Sequence, residues 1–224
     1  ENIVLVIIES LSMYHSASYF PSEQPNPSYV KAIDQSADSA DLFANFYSNG
    51  FTTESALVSL FTGRHQFPPQ HWDGSEIGLN WGDYAFTAAF NTNNTVPQRL
   101  RKNGYNSAFL TTGSLKFLNK GAWLNRIGFD YIEGDESPFY VGKQRYLFNA
   151  ATDMFLYRRA IDFLKNYSSP SPLFLTIETV SSHPPFFDPR SGLRSESAAF
   201  EFTDITFSYF MRDLKESGFF DNGM

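Results

Sequence analysis

Thr53 stands in the run Gly50-Phe51-Thr52-Thr53-Glu54-Ser55-Ala56-Leu57, just ahead of the apolar residues 57–61. A hydroxyl there sits at the mouth of a helix, where backbone N–H groups point outward and favour a phosphate. Far upstream, the apolar run Ile3-Val4-Leu5-Val6-Ile7-Ile8 ends abruptly at Glu9, a carboxylate at the carboxyl end of a strand. An alcohol and an acid so placed are two parts of a metal-assisted ester-transfer site. A hard cation polarises the ester oxygens and lowers the pKa of the alcohol, and oxygen ligands such as Glu hold that cation. On residue type alone Glu9 is equally an ordinary strand-end carboxylate. Thr53 is first of all a helix cap, and Thr52 competes with it for either role.

The elements that must position these groups follow from periodicity. Residues 3–8 form a continuous β-branched run, the pattern of a strand buried on both faces. Residues 28–38 predict a helix, residues 41–47 a strand closed by Ser48-Asn49-Gly50, and residues 53–62 a short helix stopped by Gly63. Residues 64–94 form a long, aromatic, irregular loop. Pro97 suits the first turn of a helix to Lys102. Strands are expected at 106–111 and 173–179, with helices from Thr152-Asp153 to 165 and from 202 to 215. Strands alternating with helices predict an α/β fold, a mainly parallel sheet with helices on both faces. Ligands gather at the carboxyl ends of such strands. Glu9, residues 50–53, Thr111-Thr112 and residues 178–183 all fall at that edge.

The totals bound the rest. The 224 residues suffice for one α/β domain, apolar content is 42%, and no apolar run is long enough to span a bilayer. Opening directly in a strand, with no leader, is expected of a piece of a longer chain. A formal net charge of -7 argues against nucleic acid as a partner, whereas a divalent cation would let an acidic protein take a phosphorylated ligand. Cysteine is absent, which removes disulfides, thiolate ligands and cysteine nucleophiles.

Four stretches carry a resemblance. Asn2-Ile3-Val4-Leu5-Val6-Ile7-Ile8-Glu9-Ser10-Leu11 resembles the first strand of the sulfatase and alkaline phosphatase superfamily, in the branch of lipoteichoic acid synthases and phosphoglycerol transferases. Asn45 to Gly50, then Thr53 through Leu60-Phe61-Thr62-Gly63, is similar to that family's approach to its catalytic threonine, and counting back from Gly63 selects Thr53 over Thr52. Thr179-Val180-Ser181-Ser182-His183-Pro184-Pro185-Phe186 resembles the family's Ser-His-x-Pro-Phe segment. Phe117-Leu118-Asn119-Lys120, then Gly128-Phe129-Asp130, resembles a Phe-Trp-Asn-Arg element followed by Gly-Tyr-Asp. The chain departs there, with Leu118 for Trp and Lys120 for Arg, which keeps the charge and loses the two-pronged guanidinium.

The resemblance implies an alkaline-phosphatase-like fold, with residues 1–224 as the N-terminal part of one catalytic domain that stops short of its C-terminal metal-ligand strand. It implies Thr53 as nucleophile and metal ligand, Glu9 as metal ligand, and His183 as a catalytic residue at the substrate phosphate or leaving group. Lys120 and Asn119 would bind substrate, and Asp153 would be structural. One or two divalent cations (Mn²⁺, Mg²⁺ or Zn²⁺) would be needed. The expected activity is transfer of a phosphoglycerol- or phosphoethanolamine-type group from a phosphorylated lipid or glycan through a phospho-threonine. The site would face outside the cytoplasm, on the cell membrane, with an anchor upstream of Glu1. A phosphate or sulfate ester hydrolase of the same superfamily and a catalytically silent envelope domain are the alternatives. The sequence places His15, His65 and His71 on surface loops or rims, and Trp72, Trp81 and Trp123 in packing, with Trp123 a candidate for the cleft wall.

Overall fold

The computed structural model describes residues 1–17, 28–43, 45–50, 52–64 and 93–224. Among the described residues, four parallel strands make one sheet: β1 (Ile3–Ile7), β2 (Asn106–Thr111), β3 (Tyr131–Glu133) and β4 (Leu173–Glu178), in the order β1-β4-β2-β3. β4 lies inside the sheet, with Ile3 opposite Phe174 and Ile7 opposite Glu178 on one side, and Asn106 opposite Leu173 on the other. Beyond β1, Asn222 to Met224 begin a parallel pairing with its outer edge, Met224 N–H donating to the Asn2 carbonyl at 2.9 Å.

Strand alternation sends side chains to two separate cores. Ile3, Leu5, Ile7, Phe109 and Phe174 meet Leu57, Val58 and Phe61 of α2 (Thr53–Thr62) and Trp123, Leu124 and Ile127 of α4 (Lys120–Ile127). Leucine and valine residues of the opposite phase, Val4, Val6, Leu110 and Leu175, meet Leu156 and Tyr157 of α5 (Asp153–Asn166) and Phe210 and Leu214 of α6 (Glu196–Glu216). The continuous apolar runs are therefore buried on both faces, as a parallel sheet between helices requires. Two shorter helices are also described: α1 (Lys31–Ser36), whose first-turn N–H groups of Ala32 and Ile33 donate to Asp204, and α3 (Val96–Lys102), capped by Thr95 with proline in its first turn.

Two expectations need correction. Residues 41–43 and 45–50 form no strand; Leu42, Phe43, Phe46 and Tyr47 are exposed. Their apolar side chains fall in adjacent pairs rather than alternating, so no single face could be buried. The helix expected at 202 begins at Glu196 instead, where Ser195 caps it by accepting the Ala198 N–H. The loop at 65–92, with His65, His71, Trp72 and Trp81, lies outside the described residues.

Candidate active site

Glu9 leaves β1 at the carboxyl edge of the sheet, and its main chain is gripped from both sides. Its N–H donates to Thr179 Oγ1 at 2.9 Å, and its carbonyl accepts from Ser182 Oγ at 2.6 Å. Thr179 and Ser182 are themselves buried in the turn after β4. The main chain of this strand-end acid is thus held by a segment distant in sequence, 170 and 173 positions away, while Ser10 Oγ of its own loop donates to Oε1 at 2.9 Å.

Thr53 opens α2 on the same edge. Thr52, not Thr53, is the helix cap: its Oγ1 accepts from the Ser55 N–H, and its hydroxyl donates to Ser55 Oγ. That leaves the Thr53 hydroxyl available for another partner, and it donates to Glu9 Oε2 at 2.9 Å. The two threonine hydroxyls thus divide between the helix cap and Glu9. Gly63 ends α2 in the left-handed conformation that glycine adopts at least cost.

Both groups line a cavity of about 460 Å³ with Glu54, Lys120, Glu178, Phe117, Phe148 and His183. His183 Nδ1 lies 2.5 Å from the Pro184 carbonyl. A carbonyl only accepts, so Nδ1 carries the hydrogen and Nε2 is left for a second partner. Phe148 packs edge-on to the imidazole, with ring centres 4.7 Å apart. Asn119 sits at the start of α4 in the left-handed conformation and does not line this cavity, so the structure does not bring it to the other candidates.

Lys120 is present but engaged. Its ammonium donates to both Glu178 oxygens, at 2.6 and 2.9 Å, and lies 3.5 Å from Glu54 Oε1. Burial alone would lower its pKa; the carboxylates of Glu178 and Glu54 reverse this and leave it raised. Among the described residues lining the cavity, three carboxylates, Glu9, Glu54 and Glu178, face one ammonium. Sequence reading missed Glu54 and Glu178. The signal for Glu178 was the one that singled out Glu9, an acid closing an apolar strand.

Asp153 is structural, as the resemblance implied. Fully buried at the start of α5, it accepts the N–H groups of Val180 at 2.8 Å and Ser181 at 3.1 Å, while its own N–H donates to Ser181 Oγ. Desolvation pushes its carboxyl up to about 6 against those hydrogen bonds. It fixes the turn that carries Thr179, Ser182 and His183. His15, expected on a surface loop, is instead buried: its ring stacks on Phe200 at 3.7 Å, Nδ1 accepts from the Ser12 N–H, and Nε2 lies 3.1 Å from Glu196. Trp123 is wholly buried in the core between sheet and α4, not in the cavity wall.

A divalent cation is a test this donor set passes only in part. Glu9 Oε2 and Thr53 Oγ1 converge, and the surplus of carboxylates favours positive charge. Two oxygens fall short of the roughly six or more that a hard cation takes. Among the described residues no group of three or more His, Cys, Asp or Glu side chains gathers to hold an ion. Glu9 and Thr53 fit as one side of such a site.

Comparison with known proteins bears on the family and the fold. The family model described as Sulfatase matches residues 1–206. Lipoteichoic acid synthase 1 of Bacillus subtilis (strain 168) is 23% identical over 240 residues, covering 100% of this chain and 35% of its own length. The chain thus spans about a third of that curated relative. Among solved structures, an alkaline phosphatase superfamily protein from Vibrio parahaemolyticus superposes with a TM-score of 0.77 at 20% identity, covering 100% of this chain and 52% of that one. The lipoteichoic acid synthase LtaP from Listeria monocytogenes gives 0.68 at 19% identity, over 100% of this chain and 54% of its own. The phosphoglycerol transferase GacH from Streptococcus pyogenes, solved with sn-glycerol-1-phosphate, gives 0.58 at 14% identity, over 96% and 58%.

Proposed function

The chain belongs to the sulfatase family, within the alkaline phosphatase superfamily, and on that premise we propose that it carries the nucleophile half of a phosphoryl-transfer site acting on a phosphorylated lipid or glycan. The observation that carries the reading is the 2.9 Å hydrogen bond from Thr53 Oγ1 to Glu9 Oε2, made between a helix start and a strand end at the ligand-binding edge of the sheet.

Glu9 and Thr53 are the residues that would hold a divalent cation, whose chemistry is to lower the pKa of a bound alcohol and polarise ester oxygens. The protein's own residues do the rest. Thr53 Oγ1 attacks phosphorus, its hydrogen already directed at Glu9 Oε2. The bond from phosphorus to the departing alkoxide breaks, and His183 in its doubly protonated form, with its Nδ1 hydrogen on the Pro184 carbonyl, supplies its Nε2 proton to that alkoxide or steadies the phosphoryl oxygens with it. The phospho-threonine then passes its group to an acceptor alcohol or to water. The phosphoglycerol transferase GacH is a distant relative solved with sn-glycerol-1-phosphate, which supports a head group of that kind. An extracytoplasmic site tethered to the membrane is part of the same reading; among the described residues no helix is long and apolar enough to cross a bilayer.

The test is Thr53→Ala in the full-length protein with Mn²⁺, Mg²⁺ and Zn²⁺ supplied in turn. Loss of turnover with an unchanged melting temperature is the expected result. Full activity in that variant refutes the nucleophile assignment. Release of free phosphate against transfer to a glycerol-type acceptor separates hydrolase from transferase.

A further inference from the structure

Lys120 occupies the place where the resemblance puts a head-group-binding arginine, yet its ammonium is enclosed. Its side chain is about nine-tenths buried, and the Glu178 and Glu54 carboxylates that surround it are more deeply buried still. An ammonium bridging two carboxylates across two elements has few hydrogens left for a phosphate. The identity of those two elements matters more than the pair itself.

Glu54 is the neighbour of Thr53 in the first turn of α2, and Glu178 is the neighbour of Thr179 at the end of β4. Thr53 Oγ1 reaches Glu9 Oε2, and Thr179 Oγ1 holds the Glu9 N–H. A closed circuit results: Glu9, Thr53, Glu54, Lys120, Glu178, Thr179 and back to Glu9. Every link is a covalent bond between neighbours, a hydrogen bond, or an ion pair of 3.5 Å or less. Three elements that share no short sequence connection, β1, α2 and β4, are thereby set at fixed spacing around the candidate nucleophile. Lys120, from a fourth element, α4, is what closes it.

We infer that Lys120 is a positioning residue, which with Glu54 and Glu178 fixes the distance between the Thr53 hydroxyl and Glu9, rather than a direct ligand of the substrate phosphate. The inference rests on Thr53 being the nucleophile. Displacement of a reacting group by about 1 Å costs on the order of a hundredfold in rate, so an indirect tie of this kind is enough to control turnover.

The two roles separate kinetically in the full-length protein, with bis(p-nitrophenyl) phosphate as probe. Lys120→Met lowers kcat by about tenfold or more with KM nearly unchanged, the signature of lost positioning rather than lost binding. Glu178→Gln, nearly the same shape, lowers kcat in the same way, because both Glu178 oxygens are committed to the Lys120 ammonium. The double variant is no worse than the worse single one, because the circuit is broken once. Lys120→Arg, which can still bridge two carboxylates, restores most of kcat. A direct phosphate ligand behaves otherwise: Lys120→Met raises KM, and Glu178→Gln, by releasing the ammonium, keeps kcat and tightens binding. Either of those results overturns the inference. Melting temperatures are recorded for all variants; should Lys120→Met not fold, Glu178→Gln decides alone. Thr53→Ala run alongside tells the two failures apart. Its inactivity together with an intact Glu178→Gln rejects only the positioning role, and its activity rejects the reading beneath it.

Discussion

Replacing Asp153 by Asn should change how stability depends on pH, and the size of the effect follows from burial. The carboxyl is fully buried, and desolvation lifts it from 3.8 to about 6, with Glu9 adding a push in the same direction and the Val180 and Ser181 N–H groups opposing it. A group whose folded pKa lies above its unfolded one favours folding when protonated. That contribution is complete below about pH 4 and is lost as pH rises through about 6. Roughly two pKa units at about 1.4 kcal/mol each make about 3 kcal/mol. The carboxamide of the variant cannot ionise, so urea unfolding of both proteins should show the wild type losing about 3 kcal/mol relative to Asp153→Asn between about pH 4 and pH 8. Equal m values would confirm that the comparison concerns stability alone. Parallel pH profiles, agreeing within about 0.5 kcal/mol, would refute the claim that a charged Asp153 is held at a cost.

The remaining expectations concern the scaffold. Phe61 is buried and packs edge-on to Phe109 and Phe129, with ring centres 6.4 and 5.2 Å away. Phe61→Ala should cost about 3–5 kcal/mol in denaturant unfolding, and a loss under about 1 kcal/mol would mean that the aromatic cluster repacks. Gly63 has φ 68, and among the described residues nothing lies within 4 Å of where a Cβ would go. Gly63→Ala should therefore cost only about 1 kcal/mol, from backbone strain alone, and leave the activity of folded protein unchanged. A larger loss would refute backbone strain as the sole cost.

Much of the fold was legible because its signals are local. β1 and β4 announce themselves as unbroken apolar runs, and α2 and α3 are marked by Gly63 as a stop and by Pro97 in a first turn, although the sequence favoured Thr53 over Thr52 as the cap of α2. α4 was not read. Leu118 and Asn119, both at positive φ, interrupt the regular backbone just before it, and its 8 residues are too short a run to show a helical period clearly. β3 has three residues, too few to show a period. The strand assigned at 41–47 failed because aromatic content was taken for alternation. At the site, spacing supplied candidates and the resemblance chose among them. Neither could show Lys120 meeting Glu54 and Glu178, since contacts between segments so far apart in sequence leave no trace in a pattern read a few residues at a time.

The grip of Thr179 on Glu9 spans 170 positions of sequence, and this bears on how the protein is made. β1 leaves the ribosome that far ahead of β4, the strand whose ladder it joins. At about 5–20 residues per second, Ile3 to Ile7 wait on the order of ten to thirty seconds without that partner. During the wait a greasy, hydrogen-bond-hungry ribbon is open to holdase chaperones or to neighbouring nascent chains. Biogenesis, rather than turnover, is where slowed translation between α2 and β4 would first be felt.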